Sequence, residues 1–192
     1  MSEAFSDELI KQLIATTEGI DALDNQYAAK EDQLVADFRT HLEPLLHDRQ
    51  VALDKIDGFW ANVLTSGKAP TKKLLNGTTD PKVMRAVTSF RVLTTSSSGG
   101  ATITRRIVLQ LRPNIFVDSK ELFREIEMNG DLGGGTADKA SGVAWKQGTE
   151  KSRSDSILRF FDPKSGASPE WQGEVIDAFD QVFQNPFEFT QA

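Results

Sequence analysis

Residues 10–45, IKQLIATTEGIDALDNQYAAKEDQLVADFRTHLEPL, decide the fold, because their side chains keep an alternating spacing of three and four. Ile10, Leu13, Thr17, Ile20, Asp24, Tyr27, Glu31, Leu34, Phe38, His41 and Leu45 fall on the a and d positions of a heptad, with polar interruptions at Asp24 and Glu31. From Ser2 to about Gln50 the only glycine is Gly19 and the only proline Pro44. The reading is one helix, kinked near Pro44 where the ring crowds the preceding turn. It resumes through Leu45, Leu46, Val51 and Leu53. Fifty residues rising 1.5 Å each would extend roughly 75 Å. The chain that follows is too small to cover such a stripe, so the spacing predicts helix pairing with a second molecule through Ile10, Leu13, Ile20, Tyr27, Leu34 and Phe38.

Beyond the stem the pattern changes. We place a dimerisation helix at 1–54 and an α+β domain at 55–192, its four antiparallel strands followed by C-terminal helices. Phe59 to Leu64 is a dense apolar run that predicts a short buried helix; Phe59, Trp60, Trp145 and Phe160 are core candidates. Met84, Ala86, Thr88, Phe90 and Val92 share one face of a predicted strand, and Ile103, Arg105, Ile107, Leu109 and Leu111 one face of the next. Thr94 to Gly100 links them as a hairpin. Leu122 to Met128 reads as the third strand, Asn129 to Ser141 as a loop, and Gly142 to Lys146 as the fourth strand. The last element runs from about Pro169 to Gln184, with Ser168 as cap and Asn185-Pro186 as its end. Trp171, Val175, Ile176, Phe179, Val182 and Phe183 share one arc, and Glu170, Glu174, Asp177 and Asp180 the opposite one. One face packs and the other is anionic.

The 192 residues carry 22 basic and 28 acidic side chains in three territories. Residues 1–58 hold 13 acids against 5 bases, 59–161 hold 9 against 16, and 162–192 hold 6 against 1. With no cysteine there are no disulfides and no thiolate chemistry. There is no run of eighteen apolar residues and no signal-peptide pattern, which points to an intracellular protein without a membrane partner. The only histidines, His41 and His47, are six apart on the predicted helix, about 240° around it, and cannot share a metal. Gly133-Gly134-Gly135 lacks the lysine and hydroxyl of a phosphate loop. No pattern supports an enzyme or a cofactor. Lys68, Lys72, Lys73, Lys82, Arg85, Arg91, Arg105, Arg106 and Arg112 are phosphate-contact candidates without an aromatic ladder between them; they read first as a solvated sheet face and leave only weak DNA contact open.

The order of these parts resembles the nucleosome assembly protein/SET family of histone chaperones. The resemblance rests on the acidic stem with its proline, Leu53-Asp54-Lys55-Ile56-Asp57-Gly58-Phe59-Trp60, Val143-Ala144-Trp145-Lys146, Phe160-Phe161, Gly173-Glu174-Val175-Ile176 and Asn185-Pro186-Phe187, with short linkers closer to the SET branch. It implies a nuclear, non-enzymatic homodimer, shuttling with the cytoplasm, held by antiparallel coiled-coil stems. Each copy would carry an "earmuff" domain whose acidic underside binds core histones and assists nucleosome assembly. Glu170, Glu174, Asp177 and Asp180 would belong to that surface, and a histone acetyltransferase is a further implied partner. The resemblance also implies a long acidic tail, whereas this sequence ends at Thr190-Gln191-Ala192. The competing reading is a coiled-coil-dimerised nucleic-acid-binding or scaffold module that uses the basic segment 59–161.

Overall fold

In a computed structural model of the chain, which describes residues 6–96, 103–128, 138–149 and 155–190, the stem is one α-helix, α1, spanning Asp7–Leu53 and running through Pro44. Its 47 residues correspond to about 70 Å. The Ser6 hydroxyl accepts the N–H of Leu9 at 3.3 Å, and Asp7 and Glu8 lie at the positive end of the helix dipole. The expected start at Ser2–Phe5 falls outside the described residues.

Two compact units divide the chain, Met1–His41 and Leu42–Ala192. In the first, Leu9, Ile10, Leu13, Ile14, Ile20, Leu23, Tyr27, Leu34 and Phe38 are between 40% and 71% exposed. Helical spacing alone orders them. The second unit takes in the last three turns of α1, because Leu46, Gln50 and Leu53 recur at helical spacing and pack into its interior. The helix therefore ends beside the boundary read at residue 54, while the packing divides the chain twelve residues earlier.

Within the second unit, Gly58, five residues past the end of α1, takes a positive φ of 72° and opens α2 (Phe59–Thr65), whose Phe59, Trp60, Val63 and Leu64 are buried. A short helix α3 (Thr79–Met84) leads into an antiparallel meander of order β1-β2-β3-β4. Its strands are β1 (Val87–Ser96), β2 (Ile103–Leu111), β3 (Glu121–Met128) and β4 (Asp138–Ala140). A 3-10 turn at Ile157–Phe161 precedes α4 (Pro169–Gln184), and a second at Pro186–Phe189 follows it. The core is an aromatic cluster. Trp60 meets Phe90 edge-on with centroids 5.2 Å apart, Phe90 meets Phe179 at 5.4 Å, and Phe160 meets Phe161 at 5.1 Å. Phe59, Trp60 and Phe160 are buried as expected, whereas Trp145 is half-buried against the cluster.

Three readings of the sheet need correction. The fourth strand is Asp138–Ala140, inside the stretch assigned to a loop; 142–146 contributes only a single bridge, Trp145 to Val117. Lys139 holds β4 in place through Glu125 at 3.0 Å, and Gly142, at φ 71°, turns the chain away immediately afterwards. Met84 ends α3 instead of opening β1. Thr88 is exposed and does not share the face of Phe90, because Val87 pairs with Leu111 and Ser89 with Gln110, leaving Thr88 as the extra residue of a β-bulge. Residues 97–100 of the hairpin loop, and 129–137 with its three glycines, fall outside the described residues.

Candidate functional site

Helix α4 is built as its sequence reads. The Ser168 hydroxyl accepts the N–H of Trp171 at 3.3 Å, Pro169 fills the first turn, and Val175, Ala178, Phe179, Val182 and Phe183 are buried. Glu170, Glu174 and Asp177 are exposed on the opposite arc. The backbone N–H of Glu170 and then the Ser168 hydroxyl hold the Glu170 carboxyl below its ordinary range, so it stays anionic further into acid than a free glutamate. Asp180 turns away from its three neighbours. It forms an ion pair with Arg105 of β2 at 2.5 Å, with side chains only 16% and 10% exposed. The exposed anionic arc is therefore Glu170, Glu174 and Asp177, and Asp180 fastens the helix to the sheet.

A second arginine completes that attachment. Arg124 of β3 is 4% exposed; its guanidinium donates to the Phe160 carbonyl at 2.8 Å and to Gln172 Oε1 of α4 at 2.7 Å, and lies over the Phe160 ring. Arg105 and Arg124 belong to the sheet face that meets α4, since Arg105 pairs with Ile126 and Ile107 with Arg124 across β2 and β3. No feature of the sequence singled out Arg124.

Three of the nine phosphate-contact candidates of the middle segment, Arg91, Arg105 and Arg106, are engaged in the same way. Arg91 pairs with Asp54 at 3.0 Å, and the same carboxylate accepts from Ser89 and Gln50. Arg106, on the opposite face of β2 from Arg105, lies 3.5 Å from Glu125 and 3.8 Å from Glu121 and covers the Phe123 ring. Asp54 comes from the acidic first territory and Asp180 from the acidic last one, so the segregated charges of the sequence are interleaved in space. Lys68, Lys72, Lys73, Lys82, Arg85 and Arg112 are exposed. Arg112 donates to the Arg85 carbonyl at 2.9 Å.

Asp80, also unremarked in the sequence, is 1% exposed. Its carboxylate accepts from the N–H groups of Asn76 and Ile157 at 2.9 Å and from the Ser156 hydroxyl, joining the α3 entry to the 157–161 turn. Burial pushes its pKa up against the downward pull of these three bonds.

The stem residues Ile10, Leu13, Ile20, Tyr27, Leu34 and Phe38 are all exposed. His41 and His47 are exposed, and His41 Nδ1 lies 2.8 Å from the Asp37 carbonyl. Among the described residues no group of three metal-ligating side chains exists, and no helix is long and apolar enough to cross a membrane.

No family sequence model matches the chain, and no curated protein matches it in sequence. Solved structures do. Nucleosome assembly protein S from Plasmodium falciparum superposes with a TM-score of 0.67 at 17% identity, over 95% of this chain and 99% of that one. Ccp1 follows at 0.66 and 16%, over 93% and 95%. Nucleosome assembly protein 1 from Plasmodium knowlesi gives 0.65 and 13%, over 97% and 98%. The chain has the nucleosome assembly protein fold, the long helix and earmuff domain that the sequence resemblance implied.

Proposed function

We propose that this protein is a histone chaperone that binds core histones in the nucleus and assists nucleosome assembly. The observation that carries the reading is the exposed anionic arc Glu170, Glu174 and Asp177 on a nucleosome assembly protein fold. A cationic histone pair binds DNA through many phosphate contacts; an anionic surface competes for it by steering and by charge complementarity. Helix α1 makes the protein a homodimer through an antiparallel coiled coil, which would cover its exposed apolar stripe. The nucleic-acid reading loses Arg91, Arg105 and Arg106, which are engaged with carboxylates, and keeps the exposed Lys68, Lys72, Lys73, Lys82, Arg85 and Arg112.

The test is sedimentation and titration of the chain with and without a labelled core histone pair. Replacing Glu170, Glu174 and Asp177 by lysine is expected to leave the melting temperature and the dimer unchanged and to abolish histone binding at physiological salt. Unchanged affinity at matched ionic strength would remove α4 from the site, and DNA affinity exceeding histone affinity would favour the nucleic-acid module.

A further inference from the structure

The last turns of α1 and the middle of β1 border a small groove of about 30 Å³, open to solvent on one side, whose walls include apolar Leu46, Val92 and Phe183 and polar Glu43, Gln50 and Arg91. Gln50 is 3% exposed. Its amide orientation is dictated by chemistry: Nε2 donates to Asp54 Oδ1 at 2.6 Å, and a carboxylate accepts only, so the carbonyl Oε1 faces away from Asp54. That oxygen is buried without a hydrogen-bond partner, and so is Glu43 Oε1, two turns earlier on the same face of α1. Neighbouring arginines do not meet them. Arg49 donates to the carbonyls of Phe183 and Gln184, and Arg91 Nη2 to Asp54.

Buried acceptors are costly to leave unmet, and two of them walled by apolar side chains match a cation carried on an aliphatic stem. A guanidinium is the poorer fit, because the Arg49 guanidinium already covers the Phe183 ring at 5.0 Å and leaves no stacking surface for a second planar fork. We propose that this groove receives the ammonium of a lysine side chain from a basic partner polypeptide. The ammonium donates to Glu43 Oε1 and Gln50 Oε1, and the methylenes lie along Leu46 and Phe183. Arg91 Nε, buried and likewise without a partner, donates to a carbonyl of the same segment. Only the basic character of the partner rests on the chaperone reading; the pocket chemistry stands on the acceptors.

The experiment titrates the isotope-labelled full chain with deca-lysine and with its fully Nε-acetylated counterpart, following the Gln50 side-chain amide by NMR. The resonance is expected to shift and saturate with deca-lysine and to stay put with the acetylated peptide. Glu43→Gln, which keeps the shape of a half-buried side chain, should weaken that titration about tenfold at an unchanged melting temperature, the effect of losing one charge-assisted bond. A Gln50 resonance that is unmoved by deca-lysine, that moves equally with both peptides, or that titrates identically in Glu43→Gln overturns the proposal. A histone titration read at the α4 amides separates the two readings. Histones that move α4 and leave Gln50 silent sink the groove alone, whereas a Gln50 response to deca-lysine without any histone binding sinks the chaperone function and leaves the groove standing.

Discussion

Residues 7–41 of α1 and the unit from Leu42 onward dispose of their apolar side chains in opposite ways. In the later unit, Trp60, Phe90, Phe160, Phe161 and Phe179 are at most 1% exposed, and the arginines that enter the interior, Arg105 and Arg124, are met by Asp180, Gln172 and a backbone carbonyl. On the helix, Leu13, Ile20, Tyr27 and Leu34 are more than half exposed. One region has closed its own interior; the other has secondary structure but no interior. Isolated helices owe most of their stability in proteins to packing of an apolar face. The difference gives the domain an intramolecular source of stability, and it is the proposed dimer that would supply an intermolecular one to the stem.

The sharpest way to break this contrast is at the stem. Replacing Leu13, Ile20 and Leu34 with glutamate removes burial worth about 1.5 to 3 kcal/mol per side chain in the proposed dimer, enough to give monomers at micromolar concentration. Sedimentation velocity checks it, and a wild-type chain that already sediments as a monomer overturns the contrast from the other side. In the domain, Trp60→Ala should cost about 3 to 5 kcal/mol in denaturant melts with no change in stoichiometry below the transition. If it lost partner binding at an unchanged melting temperature, Trp60 would be a contact residue and not core. Asp180→Ala should cost about 3 kcal/mol by stranding Arg105, and Arg105→Met with Asp180→Leu should recover most of it. A cost below 1 kcal/mol for the single change would show the pair to be loosely held.

The smallest effect is a slope. Because burial raises the Asp80 pKa in the folded protein above its ordinary 3.8, the folded state holds the proton more tightly than the unfolded one. This group's contribution is therefore most favourable below the unfolded pKa, and it is lost as pH rises through the folded value. Wild-type stability measured against Asp80→Asn should improve as pH falls through that window. A difference independent of pH would mean the three hydrogen bonds just balance desolvation, and a slope of the opposite sign that they outweigh it.

Both kinds of helix were legible in the sequence. The a/d stripe of α1, the two arcs of α4 and its Ser168 and Asn185 ends follow from local periodicity and capping, which need no partner to be read. The candidate surface was legible for Glu170, Glu174 and Asp177 and misleading for Asp180, because a helical wheel places side chains by angle and knows nothing of an arginine across the interface. Arg124 and Asp80 were invisible for the same reason, since their partners lie 36 and 77 residues away. The net positive middle suggested a basic surface; only strand register reveals that Arg106 faces Glu121 and Glu125. The fourth strand escaped because three residues, Asp138-Lys139-Ala140, are too few to show an alternation.

The bulge at Thr88 has a consequence for inheritance. Strand parity is binary, and Thr88 stands outside the count: with Val87 on Leu111 and Ser89 already on Gln110, loss of that one codon would close the bulge and leave Phe90 and Val92 on their present side, whereas loss of Arg91 with Phe90 held in place would carry Val92 to the opposite one. A single-residue deletion at Arg91 acts like a reading-frame error written in space, leaving every downstream letter correct and every downstream facing wrong, while the bulge is a letter the strand can lose without losing its frame. Among descendants of this gene, the Thr88 column is therefore expected to accept a gap that the columns after it do not, and a gap between Phe90 and Val92 that did survive would be accompanied by a compensating insertion before the strand ends.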